Sequence, residues 1–170
     1  TTCSFYHQLV DGSVRWVNIN DSGVEFIQSI ILPGECFGEI PLFDGGLYVA
    51  TTIAEEDSVL IRLHRSSFDQ LIKEKPELLA VFTRLLAQRL RYKFLIGKEL
   101  AQHNPEQSIC FLLSYLKESH RNVCDKCNKV NLTRQQIANM TGLRVETVIR
   151  AIRNLHDTGK LVINKGKVYC

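Results

Sequence analysis

Glu146 and Arg150 stand four residues apart in the run Val145-Glu-Thr-Val-Ile-Arg-Ala-Ile-Arg-Asn-Leu, where apolar positions recur with helical spacing. Val148, Ile152 and Leu155 fall on one face of such a helix and leave Glu146, Arg150 and Arg153 on the other. A carboxylate and a guanidinium on one helical face can accept from cytosine N4 and donate in bidentate fashion to guanine O6 and N7. The alternative use of the same pair is an exposed i,i+4 ion pair worth roughly a few tenths of a kcal/mol. Charge is concentrated around them. Residues 129–170 hold eight Lys or Arg against Glu146 and Asp157 alone, a net +6. Residues 104–128 balance at three each, and residues 1–103 hold ten basic against thirteen acidic residues. A basic block on a small terminal unit suits the neutralisation of phosphates.

The elements that must carry these residues can be read on both sides. Thr133 with Gln136 forms a capping box at the start of a short helix, in which Ile137 and Met140 face inward and Ala138 allows close packing. Gly142 supplies a tight turn, and a second helix begins near Val145. Two short helices joined by a glycine turn make a helix-turn-helix. Lys160-Leu-Val-Ile-Asn, the Lys165-Gly166 turn and Lys167-Val-Tyr-Cys then predict a hairpin that serves as the wing.

Upstream of this unit the pattern is of strands. Cys3 to Val10, Val14 to Asn20, Val24 to Leu32, Tyr48 to Ala54 and Ser58 to His64 are separated by turns at Asp11-Gly12-Ser13, Asp21-Ser22-Gly23, Pro33-Gly34 and Asp44-Gly45-Gly46. Regular short strands with glycine turns suggest a small antiparallel barrel or sandwich. The opening residues already read as a strand, so the barrel is expected to lack its N-terminal start. After Arg65 the period changes. Ser66 or Ser67 is the expected cap of a short helix reaching Glu74, and Pro76 suits the first turn of a long helix to about Gln102. That helix carries two apolar stripes: Leu79, Phe82, Leu86, Leu90 and Leu100, and Val81, Leu85, Tyr92 and Ile96. Two stripes imply two partners, the barrel and a second copy of the chain. Asn104-Pro105 breaks the helix, and a further amphipathic helix runs from about Glu106 to Ser119.

Taken together, these motifs resemble a Crp/Fnr-type regulator. One set is Gly34-Glu35-Cys36-Phe37-Gly38-Glu39 through Leu42-Phe43, and the other is Thr133-Arg134-Gln135-Gln136-Ile137 with Val145-Glu146-Thr147-Val148 and Arg150. The resemblance implies an α+β fold in three parts. These are an N-terminal jelly-roll β-barrel of cyclic-nucleotide-binding type over residues 1–75, a long dimerisation helix over 76–103, and a winged helix-turn-helix over 104–170. It makes Glu146 and Arg150 base readers and sets Arg134, Gln135 and Thr147 near phosphates. Arg144, Ile149 and Arg153 are added as further DNA contacts. The implied partners are double-stranded promoter DNA, a second copy of the chain and RNA polymerase. Val145 stands where the cyclic-AMP-responsive branch has an arginine, so the reading helix is closer to the Fnr-like branch. Ile149 replaces a small or hydroxylic residue, and Arg144 fills a position that favours an N-cap.

By the same resemblance Gly38 and Glu39 match the pair that contacts a ribose, whereas the phosphate-holding Arg-Ser pair is replaced by Val49-Ala50. Lys93-Phe94 stands where the cyclic-AMP binders place hydroxyls. A buried phosphate needs a compensating cation or oriented donors. These departures argue against cyclic AMP, leave the effector open and predict no cofactor.

The six cysteines, four of them scattered, fit reduced thiols in a cytoplasmic protein. Cys124-Asp-Lys-Cys127, with His120 upstream, is compatible with zinc or a redox switch but lacks an obvious fourth ligand, and reads as a surface pair. His7, His64 and His103 form no ligand spacing. No apolar run is long enough for a membrane span, and nothing near Thr1 reads as a signal peptide. The composition, 45% hydrophobic and 23% charged, is that of a globular chain. No Ser/His/Asp set, phosphate loop or paired-acid constellation points to an enzyme. A small-molecule sensor with a vestigial DNA-binding domain is the alternative to a DNA-binding regulator.

Overall fold

The computed structural model describes residues 4–170, so the expected strand start at Cys3 lies outside the described residues. Contacts divide the chain into two units, Thr1–Ala87 and Gln88–Cys170.

In the first unit, glycine turns join β1 (Phe5–Asp11), β2 (Val14–Ile19), β3 (Glu25–Ile31) and β4 (Cys36–Phe37). A short helix α1 (Ile40–Asp44) precedes β5 (Thr51–Ala54) and β6 (Val59–His64). The strands pair antiparallel as two three-stranded sheets, β4-β1-β6 and β3-β2-β5. The sheets are jelly-roll-like but do not close into a barrel among the described residues. Leu9 and Phe37 of one sheet meet Val14 and Ile31 of the other, so the core lies between them. Arg15 clasps the second sheet, with its guanidinium 3.1 Å from Glu25 and 2.7 Å from Glu55. The strand at 36–37 and the helix at 40–44 were not expected from the sequence. Both are too short to show a period.

Helix α2 (Arg65–Glu74) is capped by His64, whose Nδ1 accepts from the Ser66 amide at 3.3 Å. The expected cap, Ser66 or Ser67, is inside the helix instead, because imidazole nitrogen can take the acceptor role that capping requires. Phe68 of this helix joins Leu42, Tyr6, Tyr48 and Phe82 in a second, aromatic-rich cluster.

Helix α3 (Glu77–Ala101) follows Pro76 and crosses the boundary between the units. Its two expected stripes do not divide into one covered and one free. Phe82 and Leu86 are half-buried while Leu79 and Leu90 of the same stripe are exposed. Ile96 is buried while Val81 of the other stripe is 61% exposed. Phe94, which belongs to neither stripe, is 72% exposed.

The second unit is built on α4 (Pro105–Glu118), α5 (Arg134–Thr141) and α6 (Val145–Asp157), followed by the hairpin β7 (Val162–Asn164) and β8 (Lys167–Tyr169). Asn104 caps α4, its side chain accepting from the Gln107 amide. Ile109, Leu112, Ile137, Val148, Ile152, Leu155 and Val168 are almost completely buried, drawing on all three helices and the hairpin. Tyr92 of α3 stacks on Tyr115 of α4 with ring centroids 4.4 Å apart, and burial pushes its hydroxyl pKa up to about 12.

Candidate nucleic-acid interface

The local chemistry at Thr133 builds the start of α5. Its hydroxyl accepts from the Gln136 amide at 3.0 Å and the Gln136 side chain accepts from the Thr133 amide at 2.9 Å, the two halves of a capping box. Gly142 ends the helix in the left-handed region, φ 67°, where a side chain would be strained. The chain re-enters a helix at Val145 behind Arg144, which occupies the N-cap with extended backbone and makes no side-chain cap bond. The first amides of α6 are thus left without that side-chain acceptor.

On α6, Val148, Ala151, Ile152 and Leu155 are buried, and Glu146, Ile149, Arg150 and Arg153 are exposed on the opposite side. Arg144 is exposed beside them and Thr147 is half-buried. No ion pair or side-chain hydrogen bond joins Glu146 or Arg150 to any described residue, so the i,i+4 pair that the spacing permits does not form. On α5, Gln135 donates to Asn139 at 2.8 Å. Arg134 is half-buried, and its Nη2 donates to Gly166 O in the β7–β8 turn at 3.3 Å. Arg134 is thus a strut between α5 and the wing as well as a cation. This role was missed from the sequence, because nothing local marks a contact across 32 residues.

The first unit holds a cavity of about 930 Å³ lined by residues that include His7, Trp16, Asn18, Gly38, Tyr48, Val49 and Ala50. Gly38 is required on two counts. Its φ is 71°, and an added Cβ would stand 3.2 Å from the Tyr48 ring, closer than an ordinary contact. Glu39 is fully buried at the N-cap of α1 and does not line the cavity. Among the described residues that line it there are two acids, Glu56 and Asp57, and no lysine or arginine. His7 stacks on Phe37 with centroids 5.2 Å apart, and its buried Nδ1 has no hydrogen-bond partner among the described residues. Burial, then the charge of Arg62, holds its pKa below the ordinary imidazole value. Read from the sequence as an ordinary histidine, His7 is a polar group aimed at the cavity, visible only once β1 is paired.

Lys93 lies on the portion of α3 in the second unit, its ammonium 5.3 Å from the Tyr92 ring centroid. Desolvation of the ammonium, then Arg89, pulls its pKa down to about 8, while the residue as a whole is exposed. His120 Nδ1 is 2.8 Å from Asp125, and no group of three or more His, Cys, Asp and Glu able to hold a metal assembles among the described residues. Among the described residues, no helix is long and apolar enough to cross a membrane.

Two family models match the chain. Residues 2–75 match a cyclic nucleotide-binding domain and residues 107–169 a Crp-like helix-turn-helix domain. The chain is 28% identical over 161 residues to the Cyclic AMP receptor protein of Thermus thermophilus, covering 94% of this chain and 72% of that one. It is 29% identical over 159 residues to the nitrogen fixation regulation protein FixK of Azorhizobium caulinodans, covering 90% and 62%. Among solved structures, FixK2 from Bradyrhizobium japonicum matches with a TM-score of 0.81 at 22% identity, covering 99% of this chain and 83% of that one. The regulator CLP of Xanthomonas campestris matches with a TM-score of 0.79 at 19% identity, covering 99% and 84%. Those two likenesses establish the fold.

Proposed function

The chain belongs to the Crp/Fnr family of DNA-binding transcription regulators, and on that premise we propose that it binds promoter DNA as a homodimer and reads bases with Glu146 and Arg150. The observation that carries this reading is the state of those two side chains. They are exposed, four apart on the outer face of α6, and unpaired among the described residues, while the opposite face of the helix is anchored in the core. Holding a carboxylate and a guanidinium beside each other without an ion pair leaves both free for base edges. Arg134, Gln135, Arg144 and Thr147 act on phosphates, with Ile149 and Arg153 completing the contact surface. Residues 1–75 sense, 76–103 join two copies and 104–170 bind DNA. The exposed Leu79, Val81, Leu90, Phe94 and Leu95 of α3 supply apolar surface for a second copy. RNA polymerase is the further partner, in the cytoplasm.

Cyclic AMP does not fit the cavity. Its phosphate would enter a lining with two carboxylates and no lysine or arginine, with Val49 and Ala50 where a counter-ion and hydroxyl are needed. Selection of duplexes from random sequence at moderate salt, with the molar mass measured in solution, tests the reading. A two-fold site bound by a dimer is expected, and a monomer that selects no sequence overturns it. Calorimetric titration with cyclic AMP is expected to show no binding. Micromolar affinity lost in Lys93→Ala would overturn the exclusion and give the phosphate to Lys93.

A further inference from the structure

The Cys124–Cys127 turn is built into the support of the wing. Asn128 N donates to Cys124 O at 2.7 Å and Cys124 N donates to Lys129 O at 2.9 Å, closing a tight knuckle at the end of the bridge between Val123 and Val130. Its outgoing arm then pairs with β8. Val130 N donates to Val168 O at 2.9 Å, Cys170 N donates to Asn128 O at 3.1 Å, and Lys129 bridges to Tyr169. Within the knuckle, Cys124 Sγ accepts hydrogen bonds from the Cys127 thiol and from the backbone amides of Cys127 and Lys126. Cys127 is exposed and Cys124 half-buried, so small solutes reach the pair. Two thiols in hydrogen-bonding contact, with backbone donors aimed at one of them, form a dithiol ready to close, while no third metal ligand joins them among the described residues.

From this arrangement we infer that Cys124 and Cys127 form a reversible dithiol–disulfide switch, whose oxidation by a peroxide shifts the wing and weakens the DNA binding proposed above. The Cys124 sulfur attacks a peroxide oxygen, breaking the O–O bond and leaving a sulfenic acid and one water. The Cys127 sulfur then attacks the Cys124 sulfur and releases the second water. Two thiols and one hydrogen peroxide thus become one disulfide and two waters. The amides and the Cys127 thiol that bond Cys124 Sγ also stabilise its thiolate. Led by the Cys127 thiol, they hold the Cys124 thiol below its ordinary pKa, against desolvation and the charge of Asp125. Closing the bond draws the sulfurs to about 2.05 Å. The turn must tighten, and Asn128 and Lys129, which carry the pairing to β8, move with it. The wing tip is tied in turn to α5 through Arg134 and Gly166, so the displacement reaches the interface.

The test uses the full chain, reduced and then treated with stoichiometric hydrogen peroxide. It follows the mass of the peptide holding residues 124–127, the affinity for a duplex selected by the reduced protein, and hydrogen exchange at the amides of Val130 and Cys170. The expected result is a peptide lighter by two hydrogen atoms and faster exchange at both amides. Affinity should be roughly ten-fold weaker, an ordinary size for coupling between two sites, with all three changes reversed by dithiothreitol. Cys124→Ser/Cys127→Ser should bind like the reduced protein and ignore peroxide. Absence of the disulfide, a disulfide that leaves affinity and exchange unchanged, or an equal response in the double variant overturns the inference. A reduced protein that selects no duplex defeats the proposed function instead. Exchange at Val130 and Cys170 still decides the switch in that case, a change supporting it and no change refuting it.

Discussion

The two units satisfy their apolar residues to different degrees. In the second, the inward residues of α4, α5, α6 and β8 are shut off from water, and even the short hairpin contributes Val168 at 1% exposure. In the first, the sheet interior is sealed at Leu9, Val14 and Ile31, yet edge strand β6 shows Val59, Leu60 and Ile61 in succession, all exposed. Three consecutive apolar residues in a strand address both faces of the sheet, and here neither face is covered among the described residues. The helical unit therefore closes its core with its own segments, whereas the sheet unit leaves edge surface open.

The sharpest way to break this contrast is to remove a methyl cluster from each unit. Leu155→Ala, at a fully buried site, should lower stability by about 2–5 kcal/mol, and Leu60→Ala on the exposed edge by less than about 1 kcal/mol. Denaturant unfolding of the full chain measures both. Equal losses would mean that the β6 edge is covered in solution, and the contrast would collapse.

Next in size are the effects on binding, which separate surface that reads from surface that holds. Glu146→Ala should cost about 1–3 kcal/mol at one base pair and little elsewhere, whereas Arg134→Ala should weaken all sequences alike. Competition with single-base variants distinguishes them. A uniform loss for Glu146→Ala would remove it from base reading.

A smaller effect is expected at the caps. Thr133→Ala removes the hydroxyl half of the capping box, leaving the amide of residue 133 to donate to Gln136, and should destabilise the second unit by about 1 kcal/mol. His64→Ala should do the same to the first unit through α2, by less, since its bond to Ser66 N is long at 3.3 Å. Thermal melts rank the pair, and a larger loss at His64 would reverse the order.

The smallest effect belongs to His7. Its folded pKa lies below the ordinary imidazole value because burial disfavours the charged ring. Above that ordinary value both states are neutral and the residue is silent. As pH falls through it, the unfolded chain takes up a proton before the folded chain does, and stability declines until the folded pKa is reached. His7→Phe should flatten this acid-side slope in the first unit and leave the second unaltered. An unchanged slope in the variant would show that other groups set it.

Much of the second unit was already decided by neighbours in sequence. Thr133 and Gln136 are three apart, Gly142 supplies the left-handed residue that ends α5, and the apolar spacing of Val148, Ile152 and Leu155 orients α6. Such features act within a turn or two of helix, and so the cap, the turn and the outward face of Glu146 and Arg150 could be written down before any fold was known. The first three strands of the first unit were legible for the same reason, being separated by glycine turns, whereas the two-residue β4 was not. What the sequence left open was whatever needed distant segments to meet. The order β4-β1-β6 places Phe37 and Arg62 on either side of His7. Only that pairing turned the histidine toward the cavity. Helix α3 makes the point again: its stripes mark what could be buried, but burial at Ile96 and exposure at Val81 were set by which segments came to lie against it. Periodicity is a property of one element, whereas burial is a property of two.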